Sequence, residues 1–413
     1  MSQQPNYKTP FYYARKRLFK NKPAVFGFIL IVIAHLVAAL GYLIMPDNTP
    51  FANDGAVQIQ KKTPGFSVGI LKIRKNMAVE KAGIIDRILN GQESEYTIVP
   101  IIGTPKILMD SIYFRPYGRE KKEVDHLLLN CVKPLFVGPS NKLGKDYNYN
   151  YKKEGDKIIY LDSEERVCEI TQEELEKEFW ENNVEKRTYL LGTDKSGRDM
   201  LSRLLYGTRI SLSIGFISLL ISLMVGVTFG AIAGFFGGKV DHFIMWVMTV
   251  IWSIPTIMLV IAISLALQNK GVWVAFVAVG LTMWVEFARV VRGQIMGIKQ
   301  KLYIEAARAL GYSNKRIIFY HILPNIIGPI VVISTSNFAM AILIEAGLSF
   351  LGLGVQPPTP SWGMMINEGF RAIGTSNSWH LVLLPSLCIS FMVLAFNLLG
   401  NGLRDAFDPQ GLK

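Results

Sequence analysis

Apolar residues in this chain gather into long uninterrupted blocks, separated by polar stretches of very unequal length. Ala24 to Met45 runs 22 residues without a formal charge, enough as a helix rising about 1.5 Å per residue to cross a hydrocarbon core of about 30 Å. Similar blocks run from about Leu212 to Phe236, Phe243 to Leu267, Val272 to Val285, Ile326 to Leu351 and His380 to Leu399. The pattern predicts six membrane-spanning helices. The fourth is the least distinct, because Glu286 and Arg289 follow it so closely. The first block exceeds the h-region of a cleaved signal, about 7 to 15 residues, and reads as a retained anchor.

Between the first two blocks the pattern changes. Phe66 to Ile73, Tyr96 to Ile102, Ile107 to Phe114 and Lys157 to Leu161 are β-branched or aromatic runs bounded by Gly, Pro, Asp or Asn, as strands are. Thr171 followed by Glu174 reads as a capping box opening a helix with Leu175, Phe179 and Val184 on one face. Tyr147 to Tyr151 is expected as an exposed loop. A segment of this length is more than a connection. The division expected is residues 1–46 as an N-terminal segment and first span, 47–190 as a β-rich insertion, and 191–413 as a five-helix core with a polar loop at 286–325.

Composition and charge narrow the class. Half of the 413 residues are hydrophobic, which disfavours a soluble multidomain enzyme. The net charge of +12 would suit nucleic acid, yet the positive residues sit at membrane edges, so no nucleic-acid partner is expected. Lys8, Arg15, Lys16, Arg17, Lys20 and Lys22 precede the first span and place the N-terminus in the cytoplasm. Six crossings then put Arg289, Arg292, Lys299, Lys301, Arg308, Lys315 and Arg316 inside, together with the C-terminus, and the insertion outside. Arg198, Arg203 and Arg209 run against this rule, partly offset by Asp194 and Asp199.

Several local signals carry packing or chemistry. Gly226, Gly230 and Gly234 repeat every four residues and form a small face for a neighbouring helix. Gly237 to Asp241 makes a short turn, and Pro255 is expected to kink the third span. Thr335, Ser336 and Asn337 are polar within the fifth span and are candidates either for a translocation pathway or for interhelical hydrogen bonds. Glu345 near the end of that span is a candidate gate or a capped helix end. A Cys131–Cys168 disulfide is a candidate if the insertion lies in an oxidising compartment. No catalytic or metal-binding constellation emerges: the five histidines are scattered. Gly138 to Lys145 imitates a phosphate loop but has Asp146 where Ser or Thr is needed, and Gly352-Leu353-Gly354 lacks a dinucleotide fingerprint. No cofactor is expected.

The most specific signal interrupts the apolar pattern near residue 305. Tyr303 to Leu310 favours helix, Gly311 accepts positive φ, and Ser313 can cap a second helix that Pro324 is expected to terminate. Ala306 and Ala307 would let a partner approach closely, with Glu305 and Arg308 at the rim. Glu305-Ala306-Ala307, Gly311 and Leu323-Pro324, spaced over 21 residues, resemble the cytoplasmic coupling loop, the EAA loop, of permease subunits in ATP-binding-cassette importers. His321 to Asn325 is similar to the peptide/nickel branch of that family. The resemblance runs from about residue 190 to 411. It includes Leu191-Gly192-Thr193-Asp194, Gly197-Arg198-Asp199, Ser202-Arg203, Tyr206-Gly207 and Arg209-Ile210-Ser211-Leu212, as well as Ile344 to Gly354 and Pro357 to Gly363. Residues 191–212 read as an amphipathic surface helix with Asp199 and Arg203 paired. Trp246 and Thr249 stand where many relatives carry arginine and aspartate, which argues against an ion pair at that end of the third span.

The resemblance implies an α-helical integral membrane protein of the type I importer permease kind in a bacterial cytoplasmic (inner) membrane. It also implies a second homologous permease subunit, two cytoplasmic ATPase subunits and an extracytoplasmic solute-binding protein as partners. Peptides, nickel or other small solutes would be imported, with ATP hydrolysed by the partners. Two other readings are a membrane-anchored scaffold or receptor and a secondary transporter. The first leaves the coupling loop unexplained, and the second lacks intramembrane charges and visible repeats.

Overall fold

The computed structural model describes residues 10–119, 122–143, 150–269, 271–374 and 378–408. It divides into two compact units, one of Leu40–Tyr206 with Glu368–Val382, the other of Met1–Ala39, Gly207–Asn367 and Leu383–Lys413. The chain opens with α1 (Pro10–Leu18) and α2 (Lys22–Ile44).

The first unit is the β-rich one. Strand β1 (Phe66–Arg74) precedes a short helix, α3 (Ile84–Asn90), then β2 (Tyr96–Leu108), β3 (Ser111–Pro116), β4 (Val124–Leu127) and α4 (Leu128–Val132). After these come β5 (Tyr151–Glu154), β6 (Lys157–Leu161), β7 (Val167–Thr171), α5 (Gln172–Asn182) and β8 (Val184–Tyr189). Five strands form an antiparallel sheet in the order β4-β3-β2-β1-β8, and β5-β6-β7 form a second sheet. Period-two alternation divides the larger sheet. Val68, Ile70 and Ile98 pack with Ile59 and Tyr189, whereas Leu71, Ile101, Ile112 and Phe114 pack against Leu128 and Leu129 of α4 and Leu175 and Phe179 of α5.

The expected strands are present, with one change. The run Ile107 to Phe114 is not one strand but a hairpin, reversing at Met109 with φ 54°. The Thr171–Glu174 capping box forms as expected, each side chain bonding the other's backbone. Val184, expected on the helix face, instead opens β8. Of the expected Tyr147–Tyr151 loop, residues 147–149 lie outside the described residues, and Tyr151 begins β5.

The second unit is helical. Besides α1 and α2 (to Ala39), its elements are α6 (Met200–Phe236, from Gly207), α7 (Gly238–Ser253), α8 (Thr256–Ala266), α9 (Val272–Ile298), α10 (Leu302–Ala309), α11 (Asn314–Arg316), α12 (Ile327–Phe350), α13 (Trp362–Phe370, to Asn367) and α14 (Trp379–Phe407, from Leu383). Among the described residues, five helices are long and apolar enough to cross a membrane: Lys22–Ile44, Met200–Phe236, Val272–Ile298, Asn314–Phe350 and Trp379–Phe407. Gly238–Ser253 and Thr256–Ala266 form a sixth candidate, bent by 94°. Pro255 therefore breaks the third span rather than kinking it. With no N–H to donate, it leaves the turn before it open and caps α8.

The glycine face works as expected. A Cβ at Gly226, Gly230 or Gly234 would lie 2.4 Å from Phe287 Cβ, 2.6 Å from the Ala288 carbonyl oxygen and 2.9 Å from that of Arg292. Only glycine lets α6 and α9 approach so closely. Pro324 departs from expectation. The chain stays helical from Asn314 to Phe350, absorbing the proline in a π-helical turn over Ile317–Ile322 and a 3-10 turn over Leu323–Ile326.

Candidate functional site

Helix α10 has two faces that differ in burial. Ile304 and Ala307, three residues apart, are buried against Ala231 and Phe235 of α6, Val291 and Ile295 of α9, and Ile317, Ile322 and Ile326 of the returning segment. Glu305, Ala306, Arg308 and Ala309 point away and are exposed. Leu302 and Leu310 flank them at 83% and 72% exposure. Of the two alanines, then, only Ala306 offers its surface outward, because the helical period turns Ala307 into the core. Gly311 takes φ 78°, and its N–H closes the helix on the Arg308 carbonyl at 2.9 Å. Ser313 Oγ accepts from the Arg316 N–H at 3.4 Å, so the expected cap forms. Leu323 is half-buried and Pro324 exposed.

The rim is basic and aromatic. The Arg308 guanidinium stands 5.5 Å from the Phe235 ring centre, and that of Arg316 lies 4.2 Å over Tyr312. Tyr312, Lys315, Arg316, Phe319, Tyr320 and His321 line an open cleft of about 1140 Å³. Phe319 and Tyr320, at 64% and 76% exposure, are large apolar groups without cover on this surface.

An ion pair does join the third and fourth spans at this end. Arg292 Nε and Nη2 donate to Asp241 Oδ1 and Oδ2 at 2.5 and 2.6 Å, a bidentate fork that links the start of α7 to α9. The expectation against such a pair fails because the carboxylate comes from the first helical turn of α7, where the expected Gly237–Asp241 turn is already helix from Gly238, and not from position 249. Thr249 Oγ1 merely donates to the Met245 carbonyl, and Trp246 is 63% exposed. Nearby, Arg289 stacks 3.7 Å over Trp252.

Glu345 is buried within α12, with no exposed surface. It is not a capped helix end. Ser349 Oγ donates to its Oε1 at 2.7 Å and Ser211 Oγ of α6 to its Oε2 at 3.4 Å, and the Ser361 hydroxyl is a third partner. Each serine in turn accepts a backbone N–H, from Val355, Trp362 and Met364 respectively. One carboxyl thus ties α6, α12 and the start of α13 together.

Thr335, Ser336 and Asn337 do not share a face. Thr335 and Asn337 are buried, with Thr335 Oγ1 and Asn337 Nδ2 donating back to carbonyls of α12 at 2.7 and 3.1 Å. Ser336 is exposed. Gly400 of α14 lies so close to Thr335 that a Cβ there would be 2.3 Å from the hydroxyl.

In the β-rich unit the candidate disulfide is absent. Cys131 and Cys168 are separate thiols: Cys131 is buried in the core on α4, and Cys168, on β7 opposite Tyr160, packs half-buried against the same core. Burial pushes the Cys131 thiol up to about 12.

The segment 191–206 is also not a surface helix. Residues 192–199 are non-helical, and Thr193, Asp194, Arg198, Asp199, Ser202 and Arg203 are all buried. Asp199 does not pair with Arg203. It accepts from the Ser202 N–H and hydroxyl, while Arg203 Nε reaches Asp194 at 3.2 Å and Arg198 Nε the same carboxylate at 2.7 Å. Glu368 completes the cluster, 3.4 Å from Arg198 and 3.0 Å from Lys195. Sequence reasoning missed Glu368, Ser211, Ser361 and the Asp241–Arg292 pair. The available signals were Ser211 and Ser361, which stand inside the family-like stretches 209–212 and 357–363, and Asp241, three residues after a glycine pair.

Comparison with known proteins assigns the chain to a family. Residues 226–410 match the family described as binding-protein-dependent transport system inner membrane component, and residues 9–61 match the N-terminal transmembrane domain of oligopeptide transport permease C. A glutathione transport system permease protein of Pectobacterium atrosepticum is 44% identical over 229 residues, 55% of this chain and 75% of that protein. A dipeptide transport system permease protein of Bacillus subtilis is 42% identical over 219 residues, 53% of this chain and 68% of its own length. An oligopeptide permease of the same organism is 39% identical, covering 54% and 72%. The inward-facing methionine ABC transporter MetNI aligns with 50% of this chain and 96% of its own at 18% identity and a TM-score of 0.42. By these relatives the chain belongs to the peptide-family permeases of ATP-binding-cassette importers, multi-pass inner-membrane transport subunits whose ATP hydrolysis lies with separate ATPase chains.

Proposed function

We propose that this chain forms one half of the pore of an importer for peptides or similar small solutes, and that α10 and the turn after it receive the ATPase stroke. The observation that carries the reading is the two-faced α10. Glu305, Ala306 and Arg308 stand outward, while Ile304 and Ala307 on the reverse side are packed into α6 and α9. A push on the outer face is passed to two spans through close-packed side chains, which do not yield continuously. The Asp241–Arg292 fork and the glycine face bind α7, α9 and α6 into the same body.

The remaining assignments follow from this reading. Gly311, Leu323 and Pro324 shape the docking knob, and the exposed Phe319 and Tyr320 widen it. The partners are a second homologous permease, two cytoplasmic ATPase subunits and an extracytoplasmic solute-binding protein. The basic residues around α1 and the coupling segment support a cytoplasmic side for both termini and the ATPase subunits, with the β-rich unit and the solute-binding protein outside. Ser336 and the Glu345–serine cage belong to the pathway side and its gate; the backbone bonds of Thr335 and Asn337 give those two a packing role. Capture of the tagged chain from native membranes tests the docking. An ATPase should co-purify with the parent chain and be lost with Glu305→Lys, while the permease partner stays attached. Recovery of no ATPase with either form, from intact folded chain, would overturn the reading.

A further inference from the structure

Among the described residues of the β-rich unit, one apolar patch has no counterpart in its two cores. Ile84 and Ile85 of α3 are 82% and 75% exposed, and Leu89 and the preceding Met77 are about half exposed. Ile84, Ile85, Ile88 and Leu89 line one side of the short helix, and Asp86, Arg87 and Asn90 the other. Asp86 and Asn90 bond each other on the polar side at 2.6 Å. Two adjacent isoleucines at such exposure are costly in water, at about 25 cal/mol per Å² of apolar surface.

The position of α3 says what meets that side. Gln92 pins both ends of the excursion, accepting from the Ala82 N–H at 2.8 Å and donating to the Glu80 carbonyl at 3.0 Å. Its own N–H bonds the Asn48 carbonyl at 3.0 Å. Gly91, the residue that ends α3, lies against the end of the first span, since a Cβ there would be 2.7 Å from the Tyr42 ring and from the Asn48 carbonyl oxygen. Helix α2, with 23 residues, is about 34 Å long and so matches a hydrocarbon core of about 30 Å. Its last turn, with Leu40, Leu43 and Ile44 all 42–53% exposed, lies at the edge of that core. Tyr42 in the same turn is buried and accepts a hydrogen bond from the Phe51 N–H at 3.0 Å, fixing the chain that leaves the helix. A seven-residue helix spans only about 10 Å, which keeps all of α3 near this depth.

We propose that α3 is a membrane-surface anchor: its Ile84–Ile85–Leu89 side, with Met77, continues the lipid-facing surface of α2 into the interface and seats the β-rich unit on the bilayer. The lipid is the occupant because α3 is tied through Gly91 and Gln92 to Tyr42 and Asn48, at the end of a helix long and apolar enough to span a membrane whose last turn exposes Leu40, Leu43 and Ile44. An interfacial helix of this kind lies in the plane of the membrane with its apolar side a few Å below the headgroups.

The test uses the full chain in lipid nanodiscs, spin-labelled singly at Ile85→Cys, at Met77→Cys and, as a reference, at Met109→Cys in the exposed β2–β3 turn, with the parent chain giving the background from native thiols. Collision with oxygen relative to a water-soluble nickel chelate should be about threefold or more higher at residues 85 and 77 than at 109, as for apolar side chains below the headgroups. An equal ratio at 85 and 109 would overturn the proposal in favour of open water. An immobilised label shielded from both reagents would overturn it in favour of a protein occupant, a second copy or another subunit. All three sites are exposed in the folded chain, and Ile84→Cys substitutes if Ile85→Cys cannot be purified.

Discussion

At the scale of single residues, burial decides reactivity more than residue type does. Cys131 lies within the core of the β-rich unit, and its thiol is raised to about 12 by that burial, so almost no thiolate exists at neutral pH. Maleimide should leave Cys131 unmodified in the native chain and label it fully in denaturant, and the intact mass should not change on reduction. A two-proton gain on reduction would show the bridge that this structure lacks. Glu345 poses a different problem, since it is a carboxyl held by three hydroxyls on two spans and the start of α13. Glu345→Gln keeps acceptor and size and should leave thermal stability in detergent nearly unchanged. Glu345→Ala strands the serine hydroxyls in a buried hole and should cost about 1 to 3 kcal/mol. Equal melting of the two variants would remove the structural role of the cage.

At the scale of elements, the span pattern was legible because each block is apolar on every side. What happens at the ends of the blocks was less so. Pro255 and Pro324 carry the same local prohibition, yet one produces a 94° break and the other vanishes into a continuous helix. The difference lies in whether the neighbouring turns can widen to a π turn around the missing donor. The α6 glycine face makes a sharper prediction. Gly230→Val should overpack the α6–α9 contact, where even one Cβ would lie 2.6 Å from the Ala288 carbonyl oxygen. The expected loss is about 1 to 3 kcal/mol, read as a lower melting temperature, whereas Gly293→Val, at a glycine of α9 with open space around its Cβ, serves as the contrast.

At the scale of the molecule, the stretches matched to the family, 9–61 and 226–410, flank the β-rich unit, whose stability has its own pH dependence. Glu185 is held below its ordinary value of 4.5: burial opposes the shift, but hydrogen bonds from Lys72 and the Arg187 charge outweigh it. Asp162 is likewise lowered, burial being outweighed by the backbone and side chain of Arg166. A lowered carboxylate contributes stability above its unfolded value and loses it as pH falls through the folded one. Asp47 and Asp54 are raised, chiefly by burial, and act in the opposite sense, favouring the fold as they protonate. Thermal melts of the chain in nanodiscs, followed by tryptophan fluorescence, should fall in midpoint below about pH 4.5. Glu185→Gln should flatten that fall and Asp54→Asn steepen it. A slope unaffected by Glu185→Gln would exclude its ion pair as the source.

The sequence by itself determined which blocks become long apolar helices, where β1, β2 and β6 begin, and where the two-faced α10 lies, because these depend on local periodicity, caps and a spacing contained within 21 residues. Only the tertiary structure decided which polar groups meet. Glu345 and Ser211 are 134 positions apart, Asp241 and Arg292 are 51, and Arg198 and Glu368 are 170. No local pattern encodes such pairings, since what brings each group to its partner is the packing of whole helices and loops. Desolvation then makes an unpaired buried charge too costly to leave alone. The same logic separates Ala306 from Ala307, adjacent and identical in sequence, one exposed and the other sealed in the core.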